Sequence, residues 1–364
     1  MSGPPDVSTY LHGCNYPWST DGHTVFYGLD FGANVWGSHL GVSTRAPRIE
    51  RDFTAMAALG FTVARWFVFC DGRSGIVYDD QGLPSGPDGF LFADLDAALE
   101  IARSVGMRVD LVLLDHRWMF SGLHQSIADP VTGAVHEARL PHGRAPVLHS
   151  AAGRDALFDR VITPLVRRYG PSGARADLGA AILAYEFMNE PDFIVDEWEG
   201  DLSSRVTRPL PFDVLASLVG RVSDLVHLEH PRVLTTIGCA RAHNLWAWDD
   251  DALGLDVLQV HLYPDVRRPA PEDDIFGTPA AALGFRREVI LGEFPCNGPD
   301  QHPDTARPPD TTLDDYLEFA VNAGYAGAWP WSFSGTDGYG SIREEPLRRF
   351  AERHPDLVNP RAVT

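Results

Sequence analysis

The sequence predicts a single α/β domain folded as a closed (β/α)8 TIM barrel, with long loops on one face of it. Three features carry this expectation. Amphipathic helical segments alternate with β-rich apolar runs along the chain, many helices stop at a glycine just before the next run, and the longest insertions follow strands. Such alternation implies parallel βαβ units. Eight of them in 364 residues fit a closed barrel better than an open sheet. A doubly wound sheet is the alternative, but no Gly-x-Gly-x-x-Gly turn follows the first expected strand.

The expected strands lie near 26–36, 62–70, 108–115, 181–190, 233–239, 255–263, 288–294 and 326–333. Residues 1–24 then form an N-terminal extension of one catalytic domain spanning 1–364. The helix ending at Leu59 stops at Gly60 before Phe61–Phe69, and the helix carrying Leu95, Ala98, Leu99, Ala102 and Val105 stops at Gly106 before Arg108–Leu114. Tyr316–Ala323 stops at Gly324 before Tyr325–Trp331. Glycine supplies the left-handed residue at which helices end. Further helices are expected over 153–169 and 212–229.

Insertions follow four of the strands, so they extend the C-terminal face, where barrels of this kind keep their chemistry. Residues 116–152 carry His116, His124, His136, His142 and His149, while 191–210 carry Asp192, Asp196, Glu197, Trp198, Glu199 and Asp201. Residues 264–277 and 297–310 are rich in Pro and Asp. Loops of this length are often lids or binding walls.

Composition narrows the partners. A net charge of −20 disfavours nucleic acid and anionic membrane, so a neutral small oligosaccharide or glycoside fits better. No apolar run approaches the ~20 residues of a membrane span. Met1–Tyr16 lacks a secretory signal pattern, and Cys14, Cys70, Cys239 and Cys296 are widely spaced without a C-x-x-C pair. The expectation is a reducing, cytoplasmic setting, although a chain trimmed of its leader would read the same.

Ala181–Met188 reads as a strand buried on both faces and runs into Asn189-Glu190, and Val289–Gly292 runs into Glu293. Two carboxylates at strand tips form a candidate acid and nucleophile for glycosidic bond cleavage. The other tips carry Arg65, Asp115-His116, His261-Leu262-Tyr263, and Trp329 and Trp331. Alternation puts His261 and Tyr263 on one face, and likewise the two tryptophans. Aromatic faces to stack on sugar C–H surfaces, mixed with donors and acceptors for hydroxyls, suit a carbohydrate site.

With Gly32-Ala33-Asn34, Arg65, Asn189-Glu190-Pro191, His261-Leu262-Tyr263, Leu291-Gly292-Glu293 and Trp331 in register, the chain resembles a clan A glycoside hydrolase, and most of all glycoside hydrolase family 5 (cellulases, β-mannanases and β-mannosidases). The resemblance implies Glu190 as acid/base and Glu293 as nucleophile of a retaining enzyme without a cofactor. It further implies Arg65, His116, Asn189, His261, Tyr263 and an eighth-strand tryptophan as substrate-site residues. Trp331, nearer the rim, is preferred to Trp329 as the sugar platform, and either Asp115 or His116 faces the sugar.

Close carboxyls raise each other's pKa, so one can stay protonated while the other is ionised. Glu190 takes the protonated role, oriented by His261. Arg65 and the Tyr263 hydroxyl hold Glu293 ionised, and Asn189 bonds the sugar 2-OH. Glu186 shares the alternation parity of Glu190, points inward and needs a partner such as Arg65, which makes it structural. The expected activity is exo-hydrolysis of short β-mannosides or β-glucosides, with an endo-β-1,4-mannanase or endoglucanase as runner-up. Two other classes compete. One is a metal-dependent sugar isomerase or amidohydrolase barrel with His116, Glu190, His261 and Glu293 as ligands, and the other is a non-catalytic sugar-binding barrel.

Overall fold

Eight parallel strands close into the barrel that the alternation predicts, in the order β1-β12-β11-β10-β9-β8-β5-β2. The computed structural model describes residues 9–19, 28–33, 39–121, 123–128, 135–140, 144–263, 275–296, 312–335 and 340–362. The barrel strands are β1 (Leu11–Asn15), β2 (Val63–Phe67), β5 (Arg108–Asp115), β8 (Ile182–Asn189), β9 (Leu234–Cys239), β10 (Leu258–His261), β11 (Val289–Glu293) and β12 (Gly327–Ala328). Two antiparallel hairpins stand outside the barrel, β3 (Ile76–Tyr78) with β4 (Pro84–Pro87), and β6 (Leu123–Ala128) with β7 (Val135–Leu140). The helices are α1 (Ala46–Ala58), α2 (Leu91–Ser104), α3 (Ala145–His149), α4 (Ala151–Leu157), α5 (Thr163–Tyr169), α6 (Phe212–Glu229), α7 (Leu313–Asn322) and α8 (Glu344–Arg353).

Helical periodicity accounts for the outer layer. α1 buries Ile49, Phe53, Met56 and Ala57, and α6 buries Leu215, Leu218, Val219, Val222, Leu225 and Val226, each an apolar stripe facing the sheet. The predicted stops hold, since Gly60, Gly106 and Gly324 have φ of 98°, 74° and 77°. The helix expected over 153–169 is α4 and α5 joined by a π-helical turn at Phe158–Ile162.

Two expectations need correcting, the bounds of the first and last strands and the place of Trp329. The first strand is not near 26–36, where residues 28–33 form turns and a lone bridge from Ala33 to His39. It is Leu11–Asn15, inside the segment expected as an extension, pairing with β2 and β12. Its sequence, Leu-His-Gly-Cys-Asn, lacks the apolar run that marks the other strands, and Gly13 is small because the Trp329 ring lies against it. Asn34 lies outside the described residues. The last strand spans two residues instead of 326–333, because Pro330 has no N–H to extend the ladder.

Trp329 is the second correction. It is 1% exposed, donates its indole N–H to the Leu11 carbonyl at 3.0 Å and packs with Leu11, Val63, Leu183, Leu234, Val257 and Ile290. These residues lie at or near the N-terminal ends of their strands, so Trp329 plugs the barrel opposite the C-terminal mouth and is no sugar platform.

The insertion after β5 folds as a 3-10 turn (His116–Met119), the β6–β7 hairpin, α3 and α4. It is tied to the 191–210 segment by the Phe120–Val206 bridge and the Ser121 N–H to Arg205 carbonyl bond. Residues 264–274, 297–310 and His142 lie outside the described residues, as do the side chains of His124 and His136. His149 bonds the Arg208 carbonyl at an exposed position away from the site. All four cysteines are buried thiols. Among the described residues no helix is long and apolar enough to cross a membrane. Replacing Trp329 with alanine empties the barrel floor, and urea denaturation should show a loss of about 3–5 kcal/mol.

Candidate active site

Arg65 organises the barrel mouth at the C-terminal ends of the strands. It points inward from β2, is fully buried, and spends all five of its N–H donors. Nε and Nη2 grip the two oxygens of Glu186 at 2.7 and 2.6 Å, and Nη2 also reaches the Asn189 oxygen at 2.7 Å. Nη1 donates to Asn15 at 3.0 Å and to Glu293 Oε1 at 2.5 Å. The partner expected for Glu186 is therefore present. The cluster fits because residue 238 is glycine: a Cβ there would meet Glu186, the His261 ring and Arg65.

Glu293 ends β11 and accepts at both oxygens, from Arg65 and from the Tyr263 hydroxyl at 3.2 Å. Glu190 follows β8 in a left-handed conformation with φ of 50°, costly for a residue with a side chain. Its Oε1 lies 3.0 Å from His261 Nδ1, and its Oε2 lies 3.6 Å from His116 Nδ1. Oxygens of Glu190 and Glu293 and a ring nitrogen of His261 all lie within 4.8 Å of one another. The Glu190 side chain keeps 17% exposure against 6% for Glu293, so Glu190 stands nearer the open cleft.

The supporting residues are fixed in turn. The Asn189 amide gives its oxygen to Arg65 and an N–H to Asp115 at 2.8 Å. Asp115 also caps the turn after β5 through the Arg117 N–H, so it serves as a brace, while the His116 ring faces Glu190 and stacks edge-on with Phe120 and Phe193. Trp331 meets Trp18 and Phe67 edge-to-face at 5.7 and 6.1 Å, and Tyr263 packs on this cluster. The structure thus brings together Glu190, Glu293, Arg65, His116, Asn189, His261, Tyr263 and Trp331, and leaves Trp329 out. Sequence reasoning missed Asn15, Trp18 and Phe67. Recognising Leu11–Asn15 as a strand would have put Asn15 at a tip and Trp18 just past it.

Burial raises both carboxyls. It pushes Glu293 up to about 7 against the pull of His261 and Arg65, with Glu190 adding to the rise. Glu190 is also raised by burial, with His116 pulling it down and Asp115 pushing it up. Two carboxyls this close titrate as a pair. Burial favours the proton on Glu293, but the 2.5 Å guanidinium contact and the Tyr263 hydroxyl both donate to that anion. Donation to a carboxylate favours its charged form, so we place the shared proton on Glu190. Burial pulls His261 down to about 4, leaving it neutral near pH 7 and able to accept from a protonated Glu190 or, in its other tautomer, donate to the anion.

No family model matches the chain. A rice protein (Oryza sativa subsp. japonica), provisionally named mannan endo-1,4-β-mannosidase 5, is 27% identical over 255 residues, 63% of this chain and 46% of its own length. The chain therefore spans about half the length of the curated relative it matches. An endo-1,4-β-mannanase from Eisenia fetida superposes with a TM-score of 0.69 at 19% identity, covering 97% of this chain and 91% of its own. The β-1,4-mannanase of Aplysia kurodai does so with a TM-score of 0.70 at 18% identity, covering 94% and 93%. The chain shares the (β/α)8 barrel fold of these two mannanases. The clan A resemblance drawn from the strand tips is borne out at that level.

A raised carboxyl weakens the fold at high pH. Between the ordinary value of 4.5 and about 7 the native Glu190–Glu293 pair holds a shared proton that the unfolded chain releases, so stability falls as pH rises through that window. Glu293→Gln takes one carboxyl out of the pair and so removes most of this loss. Denaturation from about pH 4 to about pH 8 should show the variant gaining on wild type by on the order of 3 kcal/mol; parallel curves would contradict the assignment.

Proposed function

We propose that the protein is a retaining β-glycoside hydrolase acting on β-1,4-mannosidic bonds. One observation carries the reading: two strand-tip carboxyls with oxygens within 4.8 Å, one held by a guanidinium and a phenol, the other beside neutral histidine. Retaining enzymes hold their carboxyls about 5–5.5 Å apart, whereas inverting ones leave room for a water. In the first step Glu293 attacks the anomeric carbon while Glu190 protonates the departing glycosidic oxygen. In the second, Glu190 takes a proton from water as its oxygen attacks the same carbon, and Glu293 leaves. Asn189, its amide oriented from both ends, has a second N–H for the sugar 2-OH. Trp331, flanked by Trp18 and Phe67, supplies an aromatic wall.

Mannan as substrate is supported by the activities for which the rice relative and the two mannanases sharing the fold are named, and endo-action by those of the rice and Eisenia fetida proteins. We therefore favour endo-cleavage over the exo-action expected from sequence. A metal reading draws on the same atoms, because Glu190, His261 and Glu293 could ligate one ion by distance. Against it, the Arg65 cation already occupies Glu293 Oε1.

Mannohexaose digestion separates the modes: early release of mannobiose to mannotetraose supports endo-cleavage, and mannose alone from one end supports exo. Activity should survive EDTA, and Glu293→Gln and Glu190→Ala should each lower kcat/KM on mannohexaose by at least ~100-fold. Wild-type activity in Glu293→Gln would sink the hydrolase reading.

A further inference from the structure

The mechanism leaves one buried carboxylate unused two residues beyond Glu190. Asp192 is fully buried, and both of its oxygens accept from a single segment after β9. Oδ2 takes the Ala240 N–H at 2.7 Å, and Oδ1 takes the Asn244 side-chain N–H at 2.9 Å. Asn244, itself 3% exposed, also donates to Asp201 at 2.9 Å, and Asp201 is met by His243 at 3.1 Å and Arg241 at 3.3 Å. On the other side of the turn, the Glu190 N–H bonds the Gly238 carbonyl at 2.7 Å. Glu190 is thus bracketed: its own backbone is tied to Gly238, and the side chain two residues on is tied to Ala240 and Asn244.

A left-handed non-glycine residue persists only where its surroundings over-determine it. We propose that Asp192 is a positioning residue for the acid/base, stapling the segment after Glu190 to Ala240 and Asn244 and so holding the left-handed turn from which Glu190 reaches the cleft. This rests on reading Glu190 as the acid/base. Asp192 has no cationic partner among the described residues, and burial, a costly place for a carboxylate, pushes its carboxyl up to about 7. Stability alone does not ask for that group, whereas two convergent N–H donors from one segment do ask for an acceptor with two oxygens. Asp192→Asn would set an amide N–H against one of those donors.

The test compares kcat/KM for 2,4-dinitrophenyl and phenyl β-mannobioside. The first leaving group needs no proton and the second does, so a misplaced acid slows only the second. Glu190→Ala sets the ceiling, raising the dinitrophenyl-to-phenyl ratio by about 100-fold or more. Asp192→Asn should raise the same ratio by roughly tenfold, a shift of about 1.4 kcal/mol in the protonated transition state. Asn244→Ala, which leaves Asp192 its bond to Ala240, should raise it in the same direction and carries the test if Asp192→Asn does not fold. A structural role alone would lower the melting temperature and cut both substrates equally; an unchanged ratio in the folded variants overturns the proposal. An unchanged ratio in Glu190→Ala would instead overturn the role of Glu190, and the proposal with it.

Discussion

A guanidinium sealed inside a barrel is tolerated only if every N–H finds an acceptor and a counter-charge lies in contact. Arg65 meets both conditions, and meeting them joins β1, β2, β8 and β11 at one point through Asn15, Glu186, Asn189 and Glu293. Glu186 is the principal anchor, bound through two parallel contacts and steadied from beneath by Gln259 at 3.1 Å. Gln259 also holds Asp110, whose carboxyl burial keeps well above the usual range beside Glu186. With the fork anchored on Glu186, a single guanidinium nitrogen remains for Glu293. Glu293 is oriented and favoured as an anion without being covered.

The inequality of the two carboxyls follows from where their strands end. Glu293 is the last residue of β11, still within the ladder, and its oxygens meet the Arg65 guanidinium, reaching through the barrel interior from β2, and the Tyr263 hydroxyl from just past the neighbouring β10. Glu190 has just left β8, and the left-handed turn carries it toward the opening, where its neighbours are imidazoles. A carboxyl that must give up and regain a proton suits neutral, adaptable partners and partial exposure. A carboxyl that must attack suits fixed donors and burial. Burial raises both carboxyls, and the charge of Glu190 adds to the rise at Glu293, so part of the fold's stability at neutral pH is given up to hold them there.

Much of this is legible in the sequence, for physical reasons that also explain what is not. Long apolar runs such as Ala181–Met188 and Val289–Gly292 announce strands buried on both faces, and the residue that interrupts them emerges at the rim. Arg65, Glu190, Glu293, His261 and Tyr263 were legible for that reason. β1 was not, because its side chains line a crowded polar interior: Asn15 serves Arg65, and Gly13 yields space to Trp329. Trp329 and Trp331 share a strand face in sequence, yet one indole is drawn to the Leu11 carbonyl at the barrel floor and the other to the aromatic cluster at the mouth. Alternation does not encode that choice. Asp192 was invisible as more than a loop acid, since its role depends on Ala240 and Asn244, far away in the chain.

The central claim is that Glu293 attacks and Glu190 supplies the proton. Its most direct test is incubation with 2,4-dinitrophenyl 2-deoxy-2-fluoro-β-mannoside, or the corresponding mannobioside, followed by peptide mass spectrometry. The fluorine slows the second step more than the activated first step, so a glycosyl-enzyme accumulates. The account predicts one fluorosugar attached to the peptide containing Glu293. Attachment at Glu190, or turnover with inversion of the anomeric centre and no adduct, would contradict it.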